Sequence, residues 1–542
     1  MGNACSKPKH RACAKRTARL LASFSITATA ALAPTFACAQ NAAAPQVHEV
    51  NVTNDLAISS GEPEIAVDPT NYRNLAIVEF GVGSDQMPAS TFSPAALLEP
   101  PPAAMSNTGR VMVSHDGGDR WQQQGPAPAY DPAFKPHRGG GDPFIAWGPD
   151  GTLYVGDEAG PDPEPAPGKS LIEVYGQLLP RANLFIAAST DAGRSFSAPQ
   201  SAGTPIDRPW MTVDRTNGTL YTVSSGTYSA ARKLHNAPGP DAPNDRWLVA
   251  WKPRLAGKSE PRRLGGPDFS AAGGSTITAA NGVIAATFVL GGPPPGGGTG
   301  GNAPARPVPA SLVSIMKDGV TSCSLQAPCL FFETSTDEGQ HWTRHHVPVP
   351  GGIASRQTLV SADAGRPGRY AISVLDPTAT HFSVLVTEDS GETWAPPAAI
   401  PEVASGANFK FWMAYGPTGV LGMVWKKQRD DLTPPLAPPS GSETMPPAIG
   451  PAFDVYSSIS CDGGAHWFQP IRVNSAVSPA GPSASDDFTY LTMDDRNVHM
   501  VWGDHRALPQ VRNVPGAAGG TQAYYGRVPF AMFTGGSTCG RP

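Results

Sequence analysis

The chain has 542 residues, with 59 Gly and 59 Pro, only 16% charged residues and 40% hydrophobic ones. So much Gly and Pro marks a fold of short strands, turns and long loops, and excludes a helical bundle. The formal charge is −5, and no basic run occurs beyond the N-terminal segment, which argues against a nucleic-acid partner.

Residues 1–39 carry six Lys/Arg and no Asp/Glu, an apolar run at 20–33, and Ala37-Cys38-Ala39 just before Gln40. This is the pattern of a secretory signal peptide. Met1-Gly2-Asn3-Ala4-Cys5-Ser6 also matches a myristoylation pattern, and Cys38 raises the question of a lipoprotein cysteine. The apolar run and small-residue cleavage site speak against the first, and Pro34-Thr35-Phe36-Ala37 lacks the aliphatic start of the second. Cleavage after Ala39 takes the formal charge from −5 to −11, leaves 40–542 as the mature domain and predicts a secreted or periplasmic protein. No second apolar run is long enough to span a membrane.

Seven copies of a strand pair follow, each an apolar strand, a Gly or Asn turn and a second apolar strand. They are 62–68 with 74–80, 142–147 with 152–157, 208–214 with 219–224, 275–280 with 283–290, 357–362 with 370–376, 411–415 with 420–426, and 488–494 with 498–504. Behind five of these pairs stands one octapeptide, Ser/Thr-x-Asp-x-Gly-x-x-Trp/Phe. It begins at Ser114, Ser189, Ser335, Thr387 and Ser460 and ends at Trp121, Phe196, Trp342, Trp394 and Trp467. A hydroxyl and an Asp that accept backbone N–H bonds, a Gly with positive φ and a closing aromatic describe a hairpin turn.

The aspartates of successive octapeptides lie 75, 146, 52 and 73 residues apart, so the long interval is close to two units. Repeats of this length built of short strands predict an all-β β-propeller. Seven strand pairs predict seven blades, with the octapeptides at the turns between third and fourth strands. The third unit has Arg246-Trp247-Leu248-Val249-Ala250-Trp251 in place of a boxed hairpin, and the seventh ends with 523–533 and no box. An early strand at 47–52 is expected to complete the last blade and close the ring.

The octapeptides resemble the Asp boxes of sialidases and related propellers, and the resemblance covers the chain from about residue 55 onward. It implies a propeller fold, six-bladed in sialidase catalytic domains if one strand pair here is an insertion. It also implies action on glycans, with exo-sialidase-type glycoside hydrolysis as the first expectation. A non-catalytic glycan- or protein-binding propeller and a polysaccharide lyase on the same scaffold are the alternatives.

Strand order puts the octapeptides on one face and the strand entries and long loops on the other, where function is expected. Entry positions carry Glu62, Asp142, Arg208, Arg356, Lys410 and Asp486-Asp487, and exit positions carry Glu79, Asp157, Glu158, Asp376, Lys426, Asp504, His505 and Arg506. Carboxylates and guanidiniums around one mouth suit a polar, anionic or sugar ligand. Under the sialidase resemblance, Asp142 or Glu62 is the acid/base and Tyr490 the nucleophile, while Arg208, Arg356 and Arg506 form the arginine triad. Asp504 and Lys410 join them as ligand-binding residues. The chain departs from the family where Gly61-Glu62-Pro63-Glu64 puts Glu at the position of the expected Arg. At strand entries and ends the same charged groups also serve as backbone acceptors or interblade ion pairs.

Four cysteines remain after cleavage. Cys323 and Cys329 enclose only five residues and are expected to bond, leaving Cys461 to hold the C-terminal tail through Cys539. No cofactor is implied. A structural calcium ion is compatible with the many acidic oxygens, although no loop has EF-hand spacing. A monomer with a carbohydrate or glycoconjugate ligand is expected.

Overall fold

The computed structural model describes residues 46–55, 58–83, 107–126, 137–139, 143–161, 183–203, 209–225, 246–264, 276–290, 306–308, 310–316, 320–324, 327–350, 352–353, 358–403, 405–432, 449–482, 489–507 and 521–539. Within them, runs of Val, Ile, Leu, Phe and Tyr between Gly, Asn and Asp turns form antiparallel strands, and helices are confined to segments such as Ala310–Val313 and Phe530–Thr534. Seven sheets of four or five strands in up-and-down order form the blades, and two small two-stranded sheets, Arg306–Pro307 with Ser322–Cys323 and Ile449–Gly450 with Gly481–Pro482, accompany them among the described residues. The structure is a seven-bladed β-propeller, which replaces the six-bladed alternative.

The innermost strands of blades 1 to 7 are Ile58–Val67, Phe144–Trp147, Trp210–Val213, Ile277–Ala280, Leu359–Ala362, Asn408–Tyr415 and Thr489–Met493. Each touches the next around the ring, and the seventh touches the first. Blade 7 is completed by the N-terminal strand His48–Asn51, antiparallel to Gln522–Pro529 with Val50 opposite Tyr525. That closure leaves no open edge between the two ends of the chain. The strand Gln522–Pro529 gives way to the helix Phe530–Thr534, whose Phe530 and Phe533 are buried against blades 6 and 7.

All five octapeptides sit at third-to-fourth strand turns. In the first, the Ser114 hydroxyl donates to Asp116 at 2.9 Å and accepts from Gly118 N–H at 2.9 Å, while Asp116 accepts from Arg120 N–H at 2.9 Å. The other four repeat this set to within 0.2 Å. Two successive residues, not only the Gly, have positive φ, as Ser390 at 60° and Gly391 at 99° illustrate. The Gly has a second reason to be small: it lies against the third strand of the preceding blade. A Cβ on Gly118, Gly193, Gly339, Gly391 or Gly464 would meet Tyr525, Val113, Leu248, Phe332 or Val386 at 2.2–2.8 Å. The octapeptide is thus an interblade joint as well as a turn. Its closing Trp side chains are half-buried at the margins of the apolar clusters.

The turns between first and second strands lie on the same, lower face. Four are capped by the Asp that ends the inner strand. Asp68 accepts from Thr70 N–H at 2.8 Å and Asp214 from Thr216 N–H at 2.8 Å, and Asp363 and Asp494 do the same for Gly365 and Arg496. Cys323–Cys329 and Cys461–Cys539 are both bonded as expected. Among the described residues no helix is long and apolar enough to cross a membrane.

Candidate functional site

The inner strands of blades 1 and 6 are each broken by a β-bulge in their upper part. One lies between Gly61 and Glu64, the other between Phe409 and Trp412. The bulges put Glu62 at φ 48° and Lys410 at φ 45°, left-handed conformations that long side chains rarely adopt. The two residues occupy the same position in their bulges. Glu62 is buried and Lys410 half-buried, and blade 7 with Tyr490 lies between them in the ring. Two residues on, the Glu64 carboxylate accepts Ile145 N–H at 3.2 Å and ties blade 1 to blade 2.

Tyr490 does not stand on an open surface. Its ring stacks on Trp412 at 3.9 Å, and Trp412 stacks on Trp210 at 5.1 Å. Trp210 belongs to blade 3 and Trp412 to blade 6, which are not neighbours, so their contact crosses the propeller axis. Three aromatic rings therefore plug the central channel. The signal for this plug was an aromatic residue near the start of three inner strands, but nothing in the sequence says that they meet.

Arg506 and Asp504 lie at the seam of the ring. Asp504, fully buried, accepts from the Trp502 indole N–H at 2.9 Å and from Arg506 Nε at 3.0 Å. The Arg506 guanidinium also pairs with Glu49 of the N-terminal strand, donates to Ser475 Oγ at 3.1 Å and lies 4.1 Å above the Tyr524 ring. These contacts join blade 6, blade 7 and the closing strand. His505 is buried in the same seam, its N–H donated to Ser478 Oγ at 2.9 Å.

Glu79 is buried in the second strand of blade 1, with Arg110 at 3.2 Å and the hydroxyls of Thr53 and Ser60 donating at 2.8 and 2.5 Å. Burial pushes its carboxyl above the usual range, against the pull of Arg110 and the two hydroxyls. Lys426 is fully buried, donates to Gly503 O at 3.3 Å and lies 4.5 Å from the Phe453 ring. Asp376 caps its own turn through Thr380 N–H and His381 N–H. Asp142, Arg208, Arg356 and Asp486-Asp487 lie outside the described residues. Among the described residues no group of three or more His, Cys, Asp or Glu side chains is arranged to hold a metal ion.

No protein-family model and no curated protein matches the chain. Among solved structures it is similar to a protein of unknown function from Dyadobacter fermentans, at 11% identity over 90% of this chain and 100% of that one, with a TM-score of 0.41. It is similar to a Hadza microbial sialidase at 13% identity, over 88% of this chain and 66% of that one, with a TM-score of 0.38. A polysaccharide lyase, an ulvan lyase, is 10% identical over 88% of this chain and 95% of that one, with a TM-score of 0.42.

Proposed function

We propose that this chain is an exported propeller that binds a glycan at the upper mouth of blades 6, 7 and 1. The observation that carries the reading is the matched pair of bulges that hold Glu62 and Lys410 in left-handed backbone. Such conformations cost of order 1–3 kcal/mol each and persist where the surrounding structure enforces them, commonly at ligand sites. A carboxylate and an ammonium on nearby blades suit the mixed donors and acceptors of a polar sugar. Two disulfides fit an oxidising compartment, in line with the N-terminal segment.

Binding has more support than hydrolysis. The stacking of Tyr490 on Trp412 leaves its ring buried, and Arg506 is committed to Glu49 and Asp504. Both are residues that sialidase-type turnover would need free.

A glycan array probed with the full chain tests this. Glu62→Gln and Lys410→Met should each weaken the best array ligand by about tenfold or more, with unchanged melting temperature. Unchanged binding in both variants would sink the assignment of the mouth. Release of fluorophore from a sialoside would replace binding by hydrolysis, and unsaturated product absorbing in the ultraviolet would replace it by lyase chemistry.

A further inference from the structure

Below the aromatic plug, the central channel opens on the lower face as a cavity of about 150 Å³, lined by the inner strands of blades 3 to 6. Arg215, the second residue after the inner strand of blade 3, stands in its wall. Its neighbour Asp214 is occupied by Thr216 and Asn217 and by Gly282 N–H at 2.6 Å, so it does not neutralise the arginine. Asp363 across the cavity mouth is engaged by Gly365 N–H and by Arg369 at 3.3 Å. Asp363 and the Tyr72 phenol act on Arg215 only through the field. Among the described residues the Arg215 guanidinium makes no hydrogen bond and no ion pair.

Two hydroxyls that line the cavity with Arg215 each accept one backbone bond and retain a proton. Thr278 Oγ1 accepts Ala362 N–H at 3.1 Å, and Ser361 Oγ accepts Tyr415 N–H at 2.9 Å. Each keeps its own proton to donate into the cavity. A guanidinium and two hydroxyl donors, with apolar walls from Met211, Ile277 and Met413, form a surface that offers protons and lacks a counterion. Partial burial of a cation without a partner is costly, and it lowers the pKa of Arg215. An anion entering the cavity removes that cost.

We infer that this lower-face cavity is a binding site for a small organic carboxylate, its carboxylate paired with Arg215 and its carbon body against the channel wall. The site is on the face opposite Glu62 and Lys410 and does not rest on the glycan reading.

Titration calorimetry of the full chain with benzoate and with glucuronate, and with benzyl alcohol and glucose as neutral counterparts, is the test. At least one carboxylate should bind with a dissociation constant of about 1 mM or tighter, and neither neutral compound should match it. Arg215→Gln should weaken that carboxylate by about tenfold or more, while Arg215→Lys, which keeps the charge but loses the planar fork, should fall between. Melting curves of both variants separate lost binding from lost folding, and the lysine variant carries the test if the glutamine variant is unstable. The inference is overturned if neither carboxylate binds at about 20 mM, if a neutral counterpart binds equally well, or if a folded Arg215 variant binds like the parent.

Discussion

Glu49 and Arg506 lie 457 positions apart in the chain and meet at the seam of the ring. Glu49 is on the N-terminal strand, and Arg506 follows the second strand of the blade that this strand completes. Asp504 holds the other side of the guanidinium at 3.0 Å and is itself fully buried. Removing Arg506 leaves Asp504 with the Trp502 indole and an uncompensated charge, the situation in which breaking a buried pair costs about 3–5 kcal/mol. Arg506→Ala should therefore lower the urea midpoint markedly, and amide exchange at His48–Asn51 should accelerate with it. Glu49→Gln should cost less, because Arg506 keeps Asp504. A midpoint for Arg506→Ala within error of the parent would show that the pair contributes nothing to closure.

Gly391 and Gly282 separate the two roles of glycine in this fold. Both have positive φ, at 99° and 76°. A Cβ on Gly391 would come within 2.6 Å of Phe332, a fully buried ring held between Tyr370 and Trp394, whereas a Cβ on Gly282 meets nothing within 4 Å. Gly282→Ala should cost only the left-handed backbone term, about 1–2 kcal/mol. Gly391→Ala adds overpacking at an interblade joint and should reach about 3–5 kcal/mol in all. Equal losses in thermal or urea unfolding would refute the joint.

This contrast also explains what the sequence could reveal. Turn chemistry is local, so Ser114, Asp116 and Gly118 announce their hairpin within eight residues, and alternating apolar runs announce seven blades. Contacts across the ring have no local signature. Glu49 and Arg506 are joined only by closure, and Trp210, Trp412 and Tyr490 come from three blades to fill one channel. Arg506 reads as a ligand arginine from its strand-exit position and the triad that the sialidase resemblance implies, and its partner Glu49 is invisible at that distance in sequence. Arg215 attracted no notice because it follows an ordinary capping Asp; only the cavity gives it meaning.

Asp494 predicts part of the acid response. Burial opposes its ionisation, but hydrogen bonds from His499 at 3.0 Å, from Asn497 and from Arg496 N–H outweigh burial and bring its pKa from 3.8 down to about 2. A carboxylate whose pKa is depressed in the folded state stabilises fully above its unfolded pKa. That contribution is lost as pH falls through the folded value. The window is thus from about pH 4 down to about pH 2, and the depression corresponds to about 2 kcal/mol. In Asp494→Asn the urea midpoint should fall less steeply over this window than in the parent. Parallel pH profiles for the two proteins would show that Asp494 titrates alike folded and unfolded.

The two disulfides should differ in what they contribute, because they close loops of very different size. Cys323 and Cys329 are separated by 6 positions, Cys461 and Cys539 by 78. In the chain-entropy account, the restriction of the unfolded chain grows with the logarithm of loop length, giving about 2 kcal/mol for the short loop and about 4 kcal/mol for the long one. The long bond also anchors the tail behind the helix Phe530–Thr534, whose Phe530 and Phe533 pack on the cluster containing Phe453 and Val455. Cys539→Ser should therefore destabilise more than Cys329→Ser, and its loss should be accompanied by faster proteolysis of the tail beyond Pro529. Denaturation of both serine variants, with alkylation and mass spectrometry to confirm the remaining bond, decides the point. A larger loss in Cys329→Ser would mean that packing of the small sheet around Cys323 outweighs loop closure.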